Sequence, residues 1–460
     1  MLAIVLSLNF IAIVLFASIF YLDVECCLNT LKYISIAVFI YVLYSVRRVG
    51  TEYYEPIFLF LILFLIFLLN KVILEIFFDF GNVADVGFFV ENSFDSLIVT
   101  KVLLLLIISM FGVHIGYIVS FKKTDFIAQN FHVSKRHIRI LFIIIFLTYP
   151  VIGNYYFNTV QYVADNGYLA YHRGEISPKS FSVFILEQFF WIAASLYLAS
   201  IPKMRNFFIF LLFVIFPILI MMILSGKRGI PVAIFFSMFW YFHHVYNVKV
   251  NFIIYLILTP IVSLLLLAVG YMRHGDKIGE SGADLAQLLL IFFNQQASSL
   301  NTLIYSIEFQ GNEALSEYSF WSIFADITIL LDKAYRRIFS MEELSIEEKM
   351  QKYEYSGYLV TDVLDNSLLT EGMSVGTSYI TELYLIGSVF GVVIGSVILG
   401  YFFGKANYII KNYFGFFVMI SLIPSIIYLP RMSFGSVIVG NIFIVFIFIY
   451  VILKKLKIKN

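Results

Sequence analysis

Uninterrupted apolar runs of about 20 residues constrain this chain more than any other feature. A run of that length has no hiding place in a soluble domain, yet as a helix it matches the ~30 Å hydrocarbon core of a bilayer. Runs of this kind, some a little shorter, occupy residues 1–22, 31–46, 57–78, 97–121, 138–153, 182–201, 206–224, 231–247, 252–271, 379–403, 413–429 and 436–453. Only 13% of the residues are charged and 61% are hydrophobic, whereas a soluble domain carries roughly 25% charged residues. A water-soluble surface cannot be made from that composition; a lipid-facing one can. The short alternating segments of a membrane β-barrel are missing. The expected fold is all-α: a polytopic membrane protein with about twelve transmembrane helices.

The first run ends at Tyr21–Leu22 without a small-residue cleavage site, so it reads as a retained span. Cys26 and Cys27 are adjacent and no CxxC occurs, which predicts neither a disulfide framework nor a zinc site. An even number of spans puts both termini on one side, and the Lys/Arg distribution says which. With the N-terminus in the cytoplasm, the cytoplasmic segments hold Arg47, Arg48, Lys122, Lys123, Lys135, Arg136, Arg139, Lys203, Arg205, Lys249, Lys405, Lys411 and the tail lysines 454, 455, 457 and 459, sixteen of the 31 basic residues. Only Glu52, Glu55 and Asp125, three of the 30 acids, share those segments. The chain then divides into spans one to nine (1–271) with an outer loop at 154–181, a large outer loop (272–378), spans ten to twelve (379–453) and a basic tail (454–460). The large loop contains amphipathic stretches, such as the one around FFNQQASSL, that suit short helices lying along the membrane or over the spans. Its part 341–371 is polar enough for a small external subdomain or a mobile loop.

This topology collects three arginines on the outer face: Arg228 in SGKRG, Arg273 in YMRHG and Arg431 in YLPRMSF. Each stands at the edge of an apolar helix, where an unpaired cation is costly and the basic bias disfavours it. One such arginine reads as an interfacial anchor. Three of them with Lys227 around one cavity read as a diphosphate site, since the guanidinium fork suits phosphate oxygens. SGKRG is no nucleotide loop, because the first glycine and the preceding strand are missing.

Glu382 lies just inside the tenth span, where an acid needs a reason: a general base, or a partner for Arg431 or Arg273. Glu187 sits in the same way in the sixth span. His274 beside Arg273, and His172 beside Arg173 in the first outer loop, are further candidates for base or glycan contacts. Gln295, Gln296, Ser298 and Ser299 form a polar patch able to bond sugar hydroxyls or cap a buried loop. His243 and His244 fall near the cytoplasmic side, away from an outer site. Gly387, Gly391 and Gly395 recur every four residues, a helix-packing spacing. The scattered carboxylates show no metal-ligand spacing.

GKRG (Gly226–Gly229), Arg273 opening the large loop, FFNQQASSL (Phe292–Leu300) and GTSYITELYLIGSVFGVVIGSVILG (Gly376–Gly400) together resemble the O-antigen polymerases of the Wzy type. Span number, length and the late large loop agree with that family over nearly the whole chain. The resemblance implies a GT-C-like membrane glycosyltransferase of the bacterial inner membrane. It implies a growing glycan passed from undecaprenyl diphosphate to the terminal sugar of a new lipid-linked repeat unit at the periplasmic face. It further implies no cofactor, no metal and no nucleic acid, and a partner protein that regulates chain length. Arg228, Arg273, Arg431 and Lys227 then hold the diphosphate, Glu382 and His274 are the candidates for catalysis, and Gln295, Gln296, His172 and Arg173 are candidates for the glycan.

Two rival readings share parts of this pattern. An O-antigen ligase carries a characteristic histidine in the large outer loop, and His274 stands only at its start. A flippase for lipid-linked oligosaccharides keeps its charges inside spans facing a cavity, whereas here they gather at the outer rim beside one large loop.

Overall fold

A computed structural model describes residues 2–22, 28–84, 93–122, 131, 133–167, 180–226, 229–248, 285–316, 318–339, 341, 355–365 and 375–441. Among them the regular structure is helical. In chain order it comprises α1 (Leu2–Tyr21), α2 (Leu28–Arg48), α3 (Pro56–Phe78), α4 (Ser96–Ser120), α5 (Lys135–Asn166), α6 (Phe181–Ala199), α7 (Met204–Leu224) and α8 (Gly229–Tyr246). There follow the shorter helices α9 (Leu285–Gln296), α10 (Ser298–Glu308), α11 (Ala325–Ile338) and α12 (Ser356–Leu364). The chain then forms α13 (Tyr379–Ile409), α14 (Tyr413–Ile427) and α15 (Phe434–Gly440).

Eight helices among the described residues are long and apolar enough to cross a membrane: α2 to α7, α13 and the stretch Tyr413–Arg431 that contains α14. This is a multi-pass membrane protein, with fewer established crossings than the twelve expected. α1 contributes a shorter apolar helix, Val5–Tyr21. α8 is helical, but His243, His244 and Pro231 dilute its apolar character. The run 252–271 and all of 442–453 fall outside the described residues, as do Cys26 and Cys27.

Helix lengths depart from the apolar runs where burial continues past them. The run 138–153 is the middle of a 32-residue helix, and the expected outer loop therefore begins as thirteen more residues of α5. Tyr156, Thr159 and Val163 are buried along that extension, and the Tyr156 hydroxyl donates to Glu187 Oε1 on α6 at 2.6 Å. Both α3 and α7 contain one π-helical turn, at Leu65–Leu69 and Leu211–Ile215. In α7 the cause is Pro217, which has no N–H to give and whose ring crowds the carbonyl four residues back.

The centre of the bundle is α4, buried on nearly every side. Its most extensive partner is α13, and small residues set the distance. A Cβ on Gly112 or Gly116 would strike Ser396, or the backbone of Val397 and Tyr401. A Cβ on Gly400 or Gly404 would strike Val113, or Ser120 and the Tyr117 carbonyl. The two helices thus touch backbone to backbone through small residues four apart on both.

α13 is not straight. Gly387 (φ −151°, ψ 25°) and Ser388 (φ 50°, ψ −141°) leave the helical region, and Ser388 holds a left-handed φ that costs a non-glycine residue about 1–3 kcal/mol. Ser109 on α4 bonds both the Tyr379 hydroxyl (2.7 Å) and the Ser396 hydroxyl (2.9 Å). In a straight helix those two residues would lie about 25 Å apart. The first eight residues therefore fold back beside the rest as a re-entrant arm. Gly391 and Gly395 make room for Leu383 of that arm, so the glycine spacing serves a contact within one hairpin.

The opposite end of the bundle is fixed by polar contacts among α3, α8 and α13. Asn407 donates to Glu55 Oε1 at 3.2 Å, and His244 Nε2 lies 3.6 Å from the same oxygen. Arg47 pairs with Glu52 at this end, well away from Arg431. Gly116→Val and Gly400→Val place a side chain against backbone, and each is expected to cost at least ~1–3 kcal/mol. Thermal unfolding of purified protein should show both variants destabilised. Gly153→Val, with open space at its Cβ, should unfold like the parent.

Candidate active site

Arg431 closes a 3-10 turn, Leu429–Arg431, at the end of α14. Its Nη1 donates to Gln296 twice, to the side-chain Oε1 at 2.7 Å and to the backbone carbonyl at 3.2 Å. The guanidinium carbon lies 5.1 Å from the centre of the Phe67 ring, within cation–π range. No carboxylate among the described residues is within ion-pair distance of it. Lys32, Arg47 and Arg336 do have such partners, in Glu75, Glu52 and Asp332.

Glu382 does not meet Arg431. It sits on the re-entrant arm at 1% exposure. Its Oε2 accepts the backbone N–H of Phe434 at 2.8 Å, and its Oε1 accepts the Tyr318 hydroxyl at 3.3 Å. Phe434 is the first residue of α15, so Glu382 supplies an acceptor to the open N-terminal turn of that helix. Asp326 completes the arrangement: its Oδ2 accepts from the hydroxyls of Ser433, the N-cap, and Ser436 at 2.8 Å each. Two acids from different parts of the chain thus grip the residues that follow Arg431 by two, three and five positions. Tyr355 lies beside both. Burial first, and then the Asp326 and Glu382 carboxyl groups, push its phenol well above the ordinary range. Ser356 bonds Thr377 at 2.7 Å and ties α12 to the base of the arm.

The described flank of SGKRG reaches the same place. Gly226 ends α7 with φ 93°, and a Cβ on Gly229 would run into the ring of Tyr428. Tyr428 stands edge-on to Phe67 at 5.3 Å, the ring under Arg431. Gly229, Tyr428, Phe67 and Arg431 form one continuous stack of contacts. Lys227, Arg228, Arg273, His274, His172 and Arg173 lie outside the described residues. Of the polar patch, Gln296 is the partner of Arg431, Gln295 is half-buried next to it, and Ser299 is buried.

A cavity of about 300 Å³ lies below this site, lined by Glu187, Gln188, Trp240, Ser425 and Asn441 among mainly apolar neighbours. Ser425 is six residues before Arg431, hence roughly 9 Å deeper.

The model of the O-antigen polysaccharide polymerase Wzy family matches residues 3–458. The chain belongs to that family. Its function is O-antigen polymerisation, a glycosyltransferase-type activity on lipid-linked oligosaccharide repeat units, and neither ligase nor flippase is favoured. No curated protein and no solved structure matches it.

Asp326, Tyr318, Tyr355 and Ser433 were not singled out by sequence. In sequence Asp326 is an ordinary first-turn acid of a helix within the apolar stretch FWSIFADITILL, and its contact with the start of α15 distinguishes it. Ser433 carries a sequence signal, as a serine two residues past Arg431 that stands at the head of an apolar run.

The capping role and a proton-accepting role for Glu382 separate experimentally. Glu382→Gln keeps an acceptor for the Phe434 N–H, whereas Glu382→Ala orphans a buried donor at a cost of ~1–3 kcal/mol. Under capping, the glutamine variant retains most of the polymerase activity and stability, and the alanine variant loses both. Equal inactivity of two stably folded variants would indicate a base instead.

Proposed function

We propose that Arg431 is a diphosphate-binding residue of this O-antigen polymerase, acting with Lys227, Arg228 and Arg273. One observation carries the reading: among the described residues, a half-buried arginine at a span end is held by a neutral glutamine and a ring face and has no acid partner. A desolvated cation in that state gains strongly from an arriving anion. The contact between Gly229 and Tyr428 supports a place for Arg228 in the same site.

In the proposed reaction a hydroxyl of the terminal sugar on the incoming repeat unit attacks the anomeric carbon of the growing glycan. The bond from that carbon to the diphosphate oxygen breaks, the leaving diphosphate takes the electron pair, and the hydroxyl proton passes to it or to solvent. Arginines aimed at the diphosphate stabilise the charge as it develops. They supply by themselves the stabilisation a metal would otherwise bring. Glu382 and Asp326 act as positioning residues that hold the Arg431 turn. The sugar-facing groups are Gln295 and the loop residues His172 and Arg173.

The reaction belongs at the periplasmic face of the bacterial inner membrane, with both termini cytoplasmic, as the Lys/Arg bias supports. A GT-C-like bundle of twelve spans follows if α1, α8 and the runs 252–271 and 436–453 also cross. Arg431→Ala should lower long-chain O-antigen roughly 100-fold at unchanged protein level, leaving lipid core capped with a single repeat unit. Arg431→Lys should recover little, because a point charge cannot reproduce the guanidinium fork. A normal ladder from Arg431→Ala would refute the assignment.

A further inference from the structure

The segment Phe320–Phe339 carries an apolar surface that nothing in the polymerase chemistry uses. A 3-10 turn, Phe320–Phe324, leads into α11. Phe320 is 56% exposed and Trp321 75%. On α11, Leu331 and Tyr335 are 60% and 55% exposed one turn apart, and Phe339 just beyond the helix is 62% exposed. The Tyr335 and Phe339 rings touch, with centroids 4.6 Å apart. Five large side chains in one short stretch exceed what a water-facing loop tolerates.

The position of the segment says what covers them. Asp326, at the start of α11, bonds Ser433 and Ser436 at the head of α15, and α11 also packs on α6, a membrane span. Leu331 and Tyr335 point roughly 140° and 180° around the helix from Asp326, that is, away from the bundle. The depth can be read from α14. Arg431 is 18 residues beyond Tyr413, a rise of roughly 27 Å against a ~30 Å hydrocarbon core. The Arg431 turn, and with it Ser433 and Asp326, therefore lies at the edge of that core. Trp and Tyr side chains favour this level, where an apolar ring meets headgroups. The ion pair of Asp332 with Arg336, at 2.8 Å, gives the helix a polar flank beside the apolar one.

We propose that Phe320–Phe339 is an interfacial anchor that docks on bilayer lipid at the Arg431 end, with Phe320, Trp321, Leu331, Tyr335 and Phe339 immersed at the boundary of headgroups and acyl chains. Through Asp326 this anchor holds the start of α15 at a set height in the membrane. The inference rests on the exposed faces and the membrane fold, and it stands whether or not Arg431 binds diphosphate.

The test uses the full chain in phosphatidylethanolamine–phosphatidylglycerol bilayers, comparing the parent with Trp321→Phe. The fluorescence difference between them isolates Trp321 from Trp191 and Trp240. Lipids brominated near the headgroup end of their acyl chains should quench that difference signal by more than half, and aqueous iodide should scarcely touch it. Quenching by iodide with indifference to brominated lipid would show a water-facing loop and overturn the proposal. Protection from both would mean that protein, a second copy or another partner, covers the face, and would equally overturn it. Tyr335→Trp in the Trp321→Phe background repeats the measurement at an independent point of the same surface.

Discussion

Helices in a bilayer gain nothing by hiding apolar side chains from one another, because the lipid is equally apolar. What joins α4 to α13 is backbone proximity, made possible by Gly112 and Gly116 on one helix and Ser396, Gly400 and Gly404 on the other. The proximity brings Ser109 within reach of both Ser396 and Tyr379. That pair of hydrogen bonds to one serine pins the re-entrant arm against the descending helix, and the strained Ser388 is held in place by contacts on either side of it. From there the chain of consequences is short. The pinned arm fixes Glu382, Glu382 caps α15, and α15 begins three residues after Arg431. A packing detail near the middle of the membrane thereby sets the position of a cation at its edge.

The charge balance at the site differs from that around Lys32, Arg47 and Arg336. Lys32 with Glu75, Arg47 with Glu52 and Arg336 with Asp332 are cations matched by a carboxylate. Arg431 is stabilised instead by dipoles, the Gln296 oxygens, and by the face of Phe67. Neutral acceptors orient a guanidinium without cancelling its charge, and part of its donor fork has no partner among the described residues. An acid in the same place would compete with any phosphate group. The two acids close by, Glu382 and Asp326, are occupied by backbone and hydroxyl donors of the α15 start, which keeps them in the neighbourhood of the arginine without neutralising it.

Much of the fold could be read from the sequence because hydrocarbon imposes one rule on every spanning segment. The apolar runs at 57–78, 97–121 and 206–224 coincide with α3, α4 and α7 to within two residues. Where the rule has competition, local sequence does not determine the element. The run at 138–153 looked short because polar residues such as Asn154 and Thr159 interrupt it, yet burial of Tyr156 and Val163 against α6 extends the helix to Asn166. The run at 379–403 looked like a plain span because Gly387 and Ser388 are as compatible with helix packing as with a reversal. Only the joint contact of Tyr379 and Ser396 with Ser109 reveals the turn. Arg431 and Gln296 each stand out in the sequence, but for separate duties. Their pairing depends on α9 lying over α3, which no local pattern encodes.

This also explains why so little of the site is written as a motif. Its described parts come from Phe67, Gly229, Gln296, Tyr318, Asp326, Tyr355, Glu382, Tyr428 and Arg431, drawn from nearly the full length of the chain. Each is held by a residue from another element: Arg431 by Gln296, Glu382 by Phe434, Asp326 by Ser433, Gly229 by Tyr428. When every group of a candidate site is positioned by a distant neighbour, the information resides in the set of helix contacts and not in any stretch of adjacent residues. A short pattern such as GKRG then carries little weight alone. A family match that extends from residue 3 to residue 458 carries a great deal, because it spans the contacts that assemble the site.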